Sequence, residues 1–152
     1  MFFLLLLSDF KKEILEAHNA YRKQHHAPPL NWSDEAAAAA QTWVDKLAKE
    51  NVLKHGNHHE GMAQNLAMKY AIGGCNLSGQ EVTEIWYSEE SNYNYGDSKF
   101  GYDTGHFTQV VWKSTTHIGA AKAIAGNSCF VVANYMPPGN VVGHFEQNVL
   151  RK

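Results

Sequence analysis

Helical periodicity fills the first half of this chain and strand patterns its last third, with no regular alternation of the two. Alternating βαβ units build parallel sheets through helical crossovers. Their absence points to helices laid over a largely antiparallel sheet. Phe10, Ile14, Leu15, His18 and Tyr21 recur on one helical face behind Ser8 and Asp9 as N-caps, and Pro28-Pro29 ends that helix. Ser33 caps a second helix, with Asp34 and Glu35 well placed in its first turn. Ala36, Ala40, Trp43, Val44 and Leu47 form its apolar stripe, and the alanine run implies close approach of a neighbour. Ser78-Gly79-Gln80-Glu81 is a capping-box pattern, in which Glu81 can reach back to the cap N–H. It opens a third helix carrying Val82, Ile85, Trp86 and Glu89.

Residues 62–70 read as a strand, and the Asn-, Gly- and Tyr-rich residues 91–103 as a long surface loop. Thr104 caps a short helix through Trp112. Residues 117–125 and 128–135 read as two strands joined at Gly126-Asn127, followed by a turn at Pro137-Pro138-Gly139-Asn140 and an extended tail. The expected fold is α+β, a three-layer α/β/α sandwich around a mainly antiparallel sheet. The 152 residues form one domain over 9–152, preceded by a hydrophobic segment over 1–8. That segment is far short of the about 20 apolar residues that span a bilayer. It reads as a truncated leader, a membrane-touching tail, or an extension packed on the domain.

Thirteen basic and fifteen acidic side chains leave a net charge of −2. This argues against general nucleic-acid binding, which needs a basic surplus to displace counterions. Cys75 and Cys129 are too few for a disulfide framework, and we read them as two buried thiols, a single bridge being the alternative.

Nine histidines are the unusual feature of the composition. His25 and His26 end a helix, where a partly positive ring suits the dipole. His18 lies on a buried face and reads as a hydrogen-bonded core residue, while His117 and His144 stand alone. His55, His58 and His59, with Glu60 beside them, read as a solvated turn, since Gly56 breaks the zincin pattern. His106 opens the short helix after Thr104. Nucleophile elbows and phosphate-cradling loops are absent from the sequence.

The stretch from Gly105 through His106-Phe107-Thr108-Gln109-Val110-Val111-Trp112 to Thr115 resembles the signature of the CAP superfamily of cysteine-rich secretory, antigen-five and pathogenesis-related proteins. Ala17-His18-Asn19-Ala20-Tyr21-Arg22, Pro28-Pro29-Leu30, Asn65-Leu66-Ala67 and Asn134-Tyr135-Met136-Pro137-Pro138-Gly139-Asn140 resemble further family motifs in the right order. Ala133 stands where secreted members carry a cysteine, which resembles the disulfide-poor, Golgi-associated branch.

The resemblance implies a cavity lined by His55, Gln64, Glu89 and His106. The family's usual glutamate is replaced at Gln64, which keeps an acceptor oxygen but cannot shuttle a proton. A non-enzymatic domain is therefore expected, with His55 and His106 left to hold Zn²⁺ or to line a metal-free polar pocket. The resemblance also implies binding of acidic phospholipids and of sterol, the latter through Tyr93, Tyr95 and Phe100. Homodimers, and a membrane-peripheral location at the Golgi or in the cytoplasm, come with it. Phe2 excludes the myristoyl anchor of that branch, so residues 2–7 or a basic patch would have to touch the membrane. The alternatives are a secreted defence or venom-like protein and a metal-dependent hydrolase using His55, Glu89 and His106.

Overall fold

Side chains alternate across a strand, so a strand buried at successive positions must be covered on both faces. Strand β4 (Ser128–Met136) is buried at every position but the last, and its neighbours follow from that. In the computed structural model, which describes residues 2–56 and 61–152 and the side chains of residues 9–56 and 61–152, β4 lies between β3 (His117–Ala125) and β2 (Ala63–Tyr70), antiparallel to both. The short β1 (Asn31–Trp32) adds to the far edge of β3 in parallel. The sheet is therefore mixed in the order β1-β3-β4-β2, and its main pairings are the antiparallel ones the sequence suggests.

Phe130 and Val132 point towards helix α2 (Asp34–Glu50) and pack with Ala40, Val44, Leu47, Leu66 and Ala121. Val131, Ala133 and Tyr135 point the other way, into the larger core under helices α1 (Phe2–Gln24), α3 (Gly79–Tyr87) and α4 (Gly105–Val110). This is the expected α/β/α sandwich. Two glycines set the closest approaches. A Cβ on Gly79 would strike the backbone nitrogen of Ile14 and lie 2.7 Å from the Phe10 carbonyl, so α3 crosses α1 backbone to backbone. A Cβ on Gly119 would strike Ala37, which is the close neighbour that the alanine run of α2 implies.

The first-helix motif is structural. Buried His18 donates from Nδ1 to the Ile14 carbonyl and accepts at Nε2 from the Tyr135 hydroxyl, both at 2.8 Å. Asn19 brackets the turn after the helix, accepting from the Leu30 N–H at 2.7 Å and donating to the Leu30 carbonyl. Arg22, fully buried, donates to the carbonyls of Pro28, Val110, Trp112 and Thr115. Two of these four carbonyls, Val110 and Trp112, lie at and just beyond the end of α4, whose dipole favours a cation.

Several local expectations give way to the tertiary structure. Helix α1 starts at Phe2, so Ser8 and Asp9 lie within it instead of capping it. The Ser78 hydroxyl caps Glu81 N at 3.0 Å, but the Glu81 carboxylate turns to Lys69 Nζ at 2.7 Å, leaving half a capping box. The short helix ends at Val110, and Thr104 makes no side-chain cap. The tail is not simply extended, since it contains helix α5 (Phe145–Asn148). His25 is buried, donating from Nδ1 to the Leu150 carbonyl and accepting from the Tyr87 hydroxyl. Burial holds its pKa below the ordinary value, with the Leu150 carbonyl pulling the other way, so it is not the positive end-of-helix ring expected. Cys75 and Cys129 are joined as a disulfide. Cys129 is paired with Lys69 on β2, and the loop after β2 folds back over it, bringing together two residues 54 positions apart.

Candidate functional site

Glu89 lies in a 3₁₀ turn (Ser88–Asn92) that continues from α3. Its carboxylate accepts from the Phe107 N–H at 3.0 Å and from His106 Nδ1 at 2.9 Å. Phe107 N is one of the donors that the first turn of α4 cannot satisfy internally. Glu89 therefore supplies from another element the cap that Thr104 does not make, and its charge suits the helix N-terminus. Burial pushes the Glu89 pKa up, but the His106 and Phe107 hydrogen bonds outweigh it and hold the group below its ordinary value. Trp86 lies nearly parallel to the His106 ring, 6.3 Å between centroids, and donates its own N–H to the Leu66 carbonyl.

Gln64 organises a second pair. Its carbonyl oxygen accepts from His55 Nδ1 at 3.2 Å and from Gly56 N at 3.1 Å. Its amide nitrogen donates to Asn134, which in turn donates to the Ala36 carbonyl on α2. Asn65, the next residue of β2, points to the other face and donates to the Tyr135 hydroxyl and the His106 carbonyl. The two histidine pairs thus flank the start of edge strand β2, and among the described residues no hydrogen bond joins one pair to the other. Both rings have the same form, with Nδ1 held by an oxygen acceptor and Nε2 without a hydrogen-bond partner among the described residues. A metal-binding histidine is oriented in the same way by an outer acceptor. Among the described residues no group of three His, Cys, Asp or Glu side chains is gathered closely enough to hold a metal. His58, His59 and Glu60 lie outside the described residues.

The aromatic loop is divided by the fold. Tyr93 is 8% exposed and packs edge-on against Tyr95 and Phe107. Half-buried Tyr95 donates to Glu90 and lies under the Arg151 guanidinium. Phe100 and Tyr102 face solvent at 44% and 96% exposure and meet edge to face. Asn65, Asn134 and Trp86 belong to the site, although the sequence marks the first two only as parts of motifs and the third only as a helix position. A buried asparagine in a strand must be hydrogen-bonded, and that was the available signal.

Residues 15–135 match the profile described as the cysteine-rich secretory protein family, CAP. The chain belongs to the CAP family. It is 43% identical over 144 residues to the human Golgi-associated plant pathogenesis-related protein 1, covering 93% of this chain and 92% of that one. It is 36% identical to the secreted protein RBT4 of Candida albicans, over 95% of this chain but only 41% of that longer protein. The CAP fold is shared with the crystal structure of NaASP2 with Zn²⁺, at a TM-score of 0.73 and 22% identity over 95% of this chain and 86% of that one. Golgi-associated and secreted proteins thus both stand among its relatives.

Proposed function

We propose that this CAP domain is a non-enzymatic, membrane-peripheral protein that binds lipids, acidic phospholipid and sterol among them, within the secretory pathway or outside the cell. The solvent-facing Phe100–Tyr102 pair carries the reading, because two large aromatic rings held outward by a well-packed loop suit the boundary of a bilayer. Among the described residues no helix is long and apolar enough to cross a membrane. The apolar residues 2–7 extend α1 and offer a second point of contact.

The site residues support binding over catalysis. Gln64 holds His55 but cannot exchange a proton, so Glu89 is the only carboxylate among the four residues His55, Gln64, Glu89 and His106, and it is occupied in capping α4. If the domain takes Zn²⁺, His55 Nε2 and His106 Nε2 would be the ligands, with Gln64 and Glu89 orienting the rings. The Cys75–Cys129 bridge favours an oxidising compartment.

Flotation with liposomes of acidic phospholipid, with and without sterol, tests the reading. The full chain is expected to float, and a chain lacking residues 2–7 or carrying Phe100→Ala with Tyr102→Ala to float less. Equal flotation of all three would remove both contacts, and no flotation of the full chain would end the reading.

A further inference from the structure

The loop between the 3₁₀ turn and α4 forms an open pocket of about 210 Å³, lined by Asn92, Tyr93, Asn94, Asp97, Lys99, Phe100, Gly101, Asp103 and Thr104. We propose that this pocket binds a quaternary ammonium group, of the choline type, between Tyr93, Phe100 and Asp103. This inference does not depend on the lipid reading above.

Charge favours one class of occupant. Residues 88–104 carry Glu89, Glu90, Asp97 and Asp103 against a single Lys99. The Lys99 ammonium is 2.8 Å from Asp97 and largely in solvent, so it neutralises that carboxylate and not Asp103. Asp103 makes no ion pair or hydrogen bond among the described residues. Of the three charged residues that line the pocket, Asp97 and Lys99 pair with each other and Asp103 is left, so a cation would meet a free carboxylate.

The walls select among cations. Tyr93 and Phe100 supply aromatic surface, and the quadrupole of such rings attracts positive charge. The same loop already shows this attraction, with the Arg151 guanidinium 4.9 Å above the ring of Tyr95. A primary ammonium keeps three donors that need acceptors, and losing its water is costly. A trimethylated nitrogen has no N–H to satisfy and spreads its charge over methyl groups that pack on aromatic rings. The volume admits that group with its first methylenes.

The test is a titration of the intact protein with choline, followed by amide shifts of Gly96, Gly101 and Thr104. Saturable shifts confined to residues 92–104 are expected, with dimethylbutanol, the uncharged carbon isostere, binding at least about tenfold more weakly. Asp103→Asn is expected to weaken choline about tenfold, the equivalent of one nearby charge. Phe100→Leu, which keeps the bulk but removes the ring, should weaken it about five- to tenfold. Absence of a saturable response in the unmodified protein, or equal binding of the isostere, overturns the proposal whatever the variants do. Vesicles of phosphatidylcholine separate the sources. If they float the protein and free choline releases it, the site takes a lipid headgroup. If choline binds and those vesicles do not, it takes a free small molecule.

Discussion

His18 shows how a single buried ring makes the stability of the whole domain pH-dependent. Burial drives its pKa down from about 6.5 to about 3; the Ile14 carbonyl opposes this and the Arg22 charge adds to it. The folded protein refuses a proton that the unfolded chain accepts near 6.5. Stability is therefore complete above that pH and falls by about 1.4 kcal/mol per unit below it, until the folded value is reached. Urea unfolding at about pH 7 and about pH 5 should differ by about 2 kcal/mol, with buried His25 adding in the same direction. A flat profile across that window would contradict the neutral core ring. Glu89 acts in the same direction at lower pH: its pKa is held below the ordinary 4.5, so its contribution is complete above that value and is lost as the pH falls from there through the folded value. Gln64→Glu would put a carboxylate behind His55 Nδ1, and Zn²⁺ affinity by calorimetric titration should rise about tenfold. Unchanged affinity would show that Gln64 does not stand behind a metal ligand.

At the level of elements, the contacts that matter most are between backbones. Gly79 lets α3 lie directly on α1, and Gly79→Ala should cost about 1–3 kcal/mol in urea unfolding, since both neighbours are main-chain atoms that cannot turn aside. A cost near zero would mean the helices separate freely. Helix periodicity made α2 and α3 legible, because Ser33 and Ser78 carry their caps within the same few residues. Short α4 was legible only as a position. Its capping carboxylate, Glu89, comes from 18 residues away in the chain, and no local pattern records such a contact. Tyr93 failed as a surface residue for the same reason. Its spacing with Tyr95 and Phe100 is visible, but its packing against Phe107 depends on where α4 lies.

Across the whole molecule, one covalent link ties the loop after β2 to the start of β4. The bridge closes a segment of 54 residues, and the chain-entropy account gives about 4 kcal/mol for a loop of that length. Reduction should lower the unfolding free energy by about 2–4 kcal/mol, and intact mass before and after reduction should differ by two hydrogens. A protein whose thiols alkylate fully without reductant would remove the bridge, and with it the argument for an oxidising compartment.

The sequence by itself determined the layers of this protein. Periodicity, caps and turn residues are local, and an unbroken apolar run such as Cys129 to Ala133 has to be covered on both faces. It also carried the family motifs, whose residues His18, Asn19, Arg22 and Gln109 prove to be hydrogen-bonded supports of the fold. Only the tertiary structure decided the partners of the chemically active groups: Gln64 for His55, Glu89 for His106, Cys75 for Cys129, and an open acidic and aromatic pocket within what composition marks as a surface loop. These pairings join residues well separated along the chain, so they are set by how the sheet and helices stack and not by any pattern within a few residues.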